Sequence, residues 1–182
     1  MILEKASGLF REKGFVATSM RDLADSVGME AASLYNHIQS KAEILQIIIF
    51  RIADKCSLHL ESLEKEELNS LQKIETLIRF HVQMMLTSFE DYHVMTHEWI
   101  HLDESNLSKF IIQRKDYVQR METIIEKGIQ QKEIKTISPY VAVLTILSAV
   151  RGLEFWHRSR KKISPQELED NMVLHLISGL EK

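Results

Sequence analysis

An all-α fold is predicted for this 182-residue chain by three features. Apolar residues recur at threes and fours through nearly every segment. Only two prolines and six glycines interrupt them, and no stretch alternates apolar and polar residues convincingly over the length of a strand. About nine helices fit the pattern, as a three-helix module at residues 1–45 followed by a larger helical part at 46–182. The hydrophobic content of 45% and charged content of 27% are those of a globular protein with a real core.

The first helix places Ile2, Leu3, Ala6, Leu9 and Phe10 on one face and is expected to stop at Gly14, a residue able to adopt the positive φ of a C-cap. Phe15 then folds back as an apolar plug. Ser19 followed by Asp22 is a capping-box variant, with the acid at the positive end of the next helix. Met20, Leu23, Ala24 and Val27 give that short helix a core face, and Gly28 closes it. From Met29 the period restarts, with Leu34 and Ile38 on one face of a third helix.

Two short helices joined by a tight glycine turn make a helix-turn-helix, whose second member enters the major groove in DNA-binding proteins. Ala31, Ala32 and Ser33 are small enough to let backbone approach base edges. Tyr35, Asn36 and His37 are hydrogen-bonding groups suited to bases and phosphate oxygens. On spacing alone, a plain helical hairpin with Tyr35 as a half-buried core ring competes with this reading.

A module of about 45 residues buries too little surface to be secure alone. A fourth helix, at 40–62, carries Ile44, Leu45, Ile48 and Ile52 beyond it. After the charged break EKEE at 64–67, a fifth helix presents Leu71, Ile74, Ile78, Val82, Met85 and Phe89. A short sixth spans 92–101, and a long seventh runs from Leu107 to Ile129. Serine-proline pairs at 138 and 164 mark helix starts, predicting helices at 139–160 and 165–180.

Composition excludes several classes of function. The single Cys56 rules out a disulfide framework and a cysteine-built zinc site, and is expected to be a small buried apolar group. The longest apolar run, ILQIIIF at 44–50, is far short of the ~20 residues that span a bilayer. With no leader pattern at the start, the expectation is a cytoplasmic protein without a membrane partner. Net charge is −3, and residues 1–45 hold five Lys/Arg against six Asp/Glu, which excludes coating DNA by charge alone. No catalytic triad, glycine-rich phosphate loop or paired-cysteine site is present, so neither an enzyme nor a cofactor is expected. His93, His97 and His101, at i, i+4 and i+8, raise a metal site as one reading and a pocket wall or solvated face as others. No metal ligand is assigned.

The run GFVATSMRDLADSVGMEAASLYNHIQSKAEIL at 14–45 resembles the DNA-binding domain of the TetR/AcrR family of bacterial transcriptional regulators. The likeness lies in Gly14, Phe15, Thr18 and Ser19 before RDLA, Gly28, Leu34, Tyr35, His37, Ser40 and Lys41. Ile38 stands where the family has Phe, and Glu30 where a capping Ser is common. The resemblance implies phosphate contacts by Thr18, Ser19, Tyr35 and Lys41, with Arg21 beside them, and base contacts by Ala31, Ala32, Ser33, Asn36 and His37.

It also implies a homodimer on a palindromic double-stranded DNA operator, as a repressor released by a small-molecule effector. Helices five to seven surround the effector cavity in such proteins, which makes Met84, Met85, Phe89, Met95, Trp99, Tyr117 and Met121 the candidate lining, with plain core as their other reading. Leu153, Trp156, Met172, Leu176 and Leu180 are the candidates for the dimer seam, again with intramolecular core as the alternative. HEWIHL at 97–102, QRKDYVQRM at 113–121 and GLEFWHRSRKKISPQEL at 152–168 are similar to a subgroup that senses acyl-CoA thioesters. The cations Arg158, Arg160, Lys161 and Lys162 there would suit CoA phosphates, or simply end a helix. The reading from another class is a helical ligand carrier or interaction protein that does not bind DNA.

Overall fold

The computed structural model describes residues 1–36, 38–159 and 163–181. Among them the chain forms ten α-helices: α1 (Ile2–Lys13), α2 (Met20–Ser26), α3 (Ala31–Tyr35), α4 (Lys41–Glu64), α5 (Ser70–Thr87), α6 (Phe89–His97), α7 (Glu104–Gln130), α8 (Pro139–Arg151), α9 (Glu154–Arg158) and α10 (Pro165–Ser178). A 3-10 turn, Trp99–His101, follows α6. No helix of the described residues is long and apolar enough to cross a membrane. The helices fall into two compact units, Met1–Ser57 with Phe89–Arg114, and Leu58–Ser88 with Lys115–Lys182.

In the first unit the predicted signals act as read. Ser19 accepts the Asp22 N–H while the Asp22 carboxylate accepts the Ser19 N–H at 2.8 Å, completing the capping box of α2. Gly14 and Gly28 have φ of +81° and +68°, backbone that L side chains rarely adopt. Phe10, Leu23, Ala24, Leu34, Ile44, Leu45 and Ile48 are buried in one core together with Val94, Leu102 and Phe110. Ile38 is buried as well, so the aliphatic replacement fills its core position. Glu30 occupies the N-cap of α3 without a capping side-chain bond.

The first unit also takes in α6 and the 3-10 turn. Asp91 of α6 accepts from the buried Ser7 hydroxyl of α1 at 2.5 Å and pairs with Arg51 of α4. Cys56 is buried, and burial pushes its thiol up to about 12, which makes it inert.

In the second unit α5 packs against α8 and α10, with Ile74, Leu77, Ile78, Val82, Met121, Ile125, Val143, Ile146 and Val150 buried. Arg79 of α5 reaches Glu169 and Asp170 of α10 at 3.0 Å each, so the buried Glu169 carboxylate is paired. Ser138 and Ser164 cap α8 and α10, with proline following each.

The expected single helix over 139–160 is corrected: α8 ends at Arg151, and Gly152 and Leu153 form a turn before the five-residue α9. Glycine is a poor helix former, and a Cβ at position 152 would lie 3.1 Å from the carbonyl oxygen of Ala149.

Candidate nucleic-acid interface

Helix α3 turns Leu34 into the first unit's core and leaves Ala32, Ser33, Tyr35 and Asn36 exposed, with Ala31 half-buried. Tyr35 is 52% exposed, so its ring is not the core group of a plain hairpin. The exposed set is small or hydrogen-bonding, as base-edge approach requires. Of the remaining candidates on this face, His37 lies outside the described residues.

Position by position, the phosphate candidates divide. The Thr18 side chain is 1% exposed and its hydroxyl donates to the Gly14 carbonyl at 2.8 Å, so it serves the turn between α1 and α2 and reaches no outside ligand. Ser19 is exposed, but its hydroxyl is engaged by Asp22. Hydrogen bonds from Ser19 and then Lys13 hold the Asp22 carboxyl well below the usual carboxylate range. Arg21 is exposed and forms no ion pair among the described residues, whereas Lys13 is paired with Asp22 and Arg11 with Glu12 and Glu90.

Lys41 donates to the carbonyls of Phe15, Val16 and Thr18 at 2.6, 3.0 and 2.7 Å. The three donors of its ammonium all have partners inside the protein.

Phe15 is also held from the segment that follows α6. Its N–H donates to Glu98 Oε2 at 3.3 Å, and its ring stacks on His101, centroids 5.5 Å apart. His101 Nε2 lies 3.5 Å from Glu98. The expected common face of three histidines is thereby corrected. His93 and His97 stack on each other at 4.2 Å within α6, but the helix ends at His97 and His101 sits in the tighter turn beside Phe15. Sequence reasoning missed Glu98, Asp91 and the inward lysine. Each acts on a residue 26 to 84 positions away, and no local pattern records such a pairing.

The effector candidates also separate. In the second unit Met85 and Met121 are fully buried and Met84 and Tyr117 nearly so. There Tyr117 meets His81, and His157 Nε2 lies 2.9 Å from the Met85 carbonyl oxygen. In the first unit Met95 and Trp99 pack against the core cluster, and Trp99 lies between Phe110 and the Arg114 guanidinium. Phe89 is buried with the Arg11 guanidinium 5.4 Å from its ring. Arg160, Lys161, Lys162 and the Arg158 side chain lie outside the described part of the chain.

Of the seam candidates, Leu153 and Leu180 are 4% and 5% exposed, within their own chain, and Trp156 and Met172 are half-buried. The large exposed apolar side chains of α8 and α10 are Tyr140, Val141, Leu144 and Leu174. Val141, Thr145, Leu176 and Leu180 help to line a recess of about 380 Å³ between these two helices.

Two short helices, α2 and α3, joined through Gly28 and turning a small, polar face outward, make the arrangement of a helix-turn-helix regulator. The chain belongs to the TetR family of bacterial regulatory proteins: that family's model matches residues 2–48, and the tetracyclin repressor-like C-terminal domain matches 67–180, more than half of the chain. It is a DNA-binding transcriptional regulator and not an enzyme.

Over its whole length it is 23% identical to the transcriptional repressor KstR2 of Mycobacterium tuberculosis, covering 92% of that protein. A structure of that ketosteroid transcriptional regulator superposes with a TM-score of 0.91 over 100% of this chain and 93% of the other, at 20% identity. AibR in complex with isovaleryl coenzyme A and operator DNA gives 0.82 over 97% and 96%, at 24% identity. The regulator YvaF of Bacillus subtilis is 26% identical over 82% of this chain and 77% of its own length.

Proposed function

We propose that the protein is a homodimeric repressor that binds a roughly palindromic operator and releases it on binding a small apolar or amphipathic effector, with an acyl-CoA thioester as the first candidate. The observation that carries the DNA half is the face of α3: Leu34 is buried while Ala32, Ser33, Tyr35 and Asn36 are exposed. These four, with Ala31 and Arg21, form the proposed contact set. Ser19 contributes as the cap that starts α2.

The dimer reading is supported by the second unit. Tyr140, Val141 and Leu144 are 57%, 54% and 47% exposed on α8, and Leu174 is 61% exposed on α10. Apolar side chains flanking a recess lined by Val141 and Leu176 suit a two-fold contact with a second copy. Such symmetry places two recognition helices on two half-sites.

The acyl-CoA proposal is supported by the similarity of residues 97–102, 113–121 and 152–168 to regulators that sense these thioesters, and by the fold shared with AibR. Its apolar part is received in the second unit among Met84, Met85, Tyr117 and Met121. An effector shifts only an equilibrium whose states it binds differently, and a coupling of about 1–3 kcal/mol is ordinary for such release.

The test is retention of the upstream intergenic DNA of the protein's own gene in a gel shift, with salt varied, then competition by isovaleryl-CoA and a longer acyl-CoA. Retention of a palindromic fragment, lost on adding one thioester, is expected. Failure to retain any such fragment at low salt, while an apolar probe still binds, overturns this reading of the operator and favours a ligand-carrying role.

A further inference from the structure

The resemblance to the family implies that Lys41 grips a DNA phosphate; the geometry points to a different role. We propose that Lys41 is a positioning residue, an internal clamp that fixes the Phe15–Thr18 turn and through it the start of α2. This inference rests on the DNA-binding reading for its consequence, though not for its geometry.

The ammonium has three N–H donors, and three carbonyls converge on it, those of Phe15, Val16 and Thr18 at 2.6, 3.0 and 2.7 Å. It also sits 4.5 Å from the centroid of the Phe15 ring, within range of cation–π attraction. A phosphate oxygen would have to take one of these donors; the Phe15 carbonyl also accepts the Thr18 N–H at 3.3 Å, whereas Lys41 is the donor to the carbonyls of Val16 and Thr18. Phosphate binding and the clamp therefore compete for the donors of this atom.

The turn matters because α2 begins directly after it. Thr18 immediately precedes Ser19, whose extended backbone, φ −100° and ψ 161°, sets the capping box and hence the entry angle of α2. On the other side of the same turn, Glu98 accepts the Phe15 N–H and His101 stacks on its ring. One residue, Phe15, is thus held by the first residue of α4 and by the segment that succeeds α6. A shift of either element reaches the start of α2 through Phe15.

Two variants separate clamp from phosphate contact. Lys41→Arg keeps the charge, but its planar fork cannot converge on three carbonyls as a tetrahedral ammonium does. Lys41→Gln removes the charge. For a clamp, both variants weaken operator binding by about tenfold or more, ~1.4 kcal/mol, while the slope of log affinity against log salt stays that of the wild type. For a phosphate contact, Lys41→Arg binds like the wild type and Lys41→Gln loses about 0.9 from the slope. That pair of results, or unchanged affinity in both variants, overturns the proposal.

Amide hydrogen exchange in the free protein supplies a measurement independent of DNA. Residues 15–22 are expected to exchange faster in both variants, and wild-type rates there overturn the clamp. If the wild type retains no DNA, the functional reading fails while the exchange result still decides the clamp. Thermal melts establish that each variant is folded at the assay temperature, and Lys41→Arg decides if Lys41→Gln is not.

Discussion

His81 Nε2 on α5 lies 2.7 Å from the hydroxyl of Tyr117 on α7, and both side chains are buried in the second unit. Burial, and secondarily the charge of His59, lowers the His81 pKa to about 4. The pair is consequently a neutral polar contact at neutral pH, held in apolar surroundings where a charge would be costly.

A stability dependence on pH results. His81 stays neutral in the folded chain down to about 4, whereas an unfolded chain takes up that proton below about 6.5. Between these values the unfolded state binds more protons, so stability rises with pH. The contribution is complete above about 6.5 and is lost as pH falls toward 4, on the order of 3 kcal/mol in all. Urea unfolding from pH 4 to 7 of the wild type and His81→Gln measures it. The variant is expected to lose most of this slope, and parallel curves would refute the assignment.

Two glycines predict losses of stability for different reasons. Gly28 has φ +68° with open space around its missing Cβ, so Gly28→Ala is penalised by backbone strain alone, about 1–2 kcal/mol. Gly128 of α7 has ordinary helical backbone, but a Cβ there would lie 2.7 Å from Ile134 Cδ1 and 2.8 Å from Ser70 Cβ. Gly128→Ala is expected to cost about 1–3 kcal/mol by overpacking. Because strain at Gly28 is local, Gly28→Asn should recover part of that loss, whereas no side chain rescues position 128. Denaturant midpoints for the three variants check this, and an Asn no better than Ala would contradict the strain account.

Legibility in the sequence tracks the range of the interactions concerned. Ser19 with Asp22, Ser138 with Pro139 and Ser164 with Pro165 act within one helical turn, and each starts a helix as its spacing predicts. Leu34 and Ile38 kept their core face because periodicity is also local. The break at Gly152 was not legible, since apolar period continues through Leu153 and Trp156 and only the backbone path reveals the turn. Lys41 and Thr18 have the residue types of phosphate ligands, yet their groups are engaged by backbone carbonyls. Donor chemistry could be read from the sequence, but not its direction. Leu153 likewise showed its burial without showing that its own chain supplies it.

Arg21 is expected to dominate the salt dependence of DNA binding. It is exposed and without an ion pair among the described residues, while neighbouring Lys13 is paired and Lys41 faces inward. Arg21→Ala should weaken binding to all sequences alike and reduce the salt slope by about 1. Asn36→Ala, on the exposed face of α3, should leave the slope intact and relax preference at one base pair by about 1–3 kcal/mol. Fluorescence anisotropy on the operator and its point variants at several salt concentrations tests both. If the effects are exchanged between the two residues, the proposed division of the face is wrong.

The seam proposed on α8 and α10 predicts that dimerisation and protomer stability respond to different residues. Val141 is 54% exposed and lines the recess beside Leu176, so a charge there costs the single chain little. Between two copies it would be desolvated without a partner. Val141→Glu should therefore weaken association by about a hundredfold or more, ~3 kcal/mol, with little change in unfolding of the monomer. Leu153 is 4% exposed within its own chain, so Leu153→Ala should cost about 2–5 kcal/mol of folding stability and leave association nearly unchanged among folded molecules. Sedimentation velocity across a concentration series, alongside thermal melts, separates the two quantities. A dimer that survives Val141→Glu but falls apart with Leu153→Ala would move the seam away from the exposed face of α8.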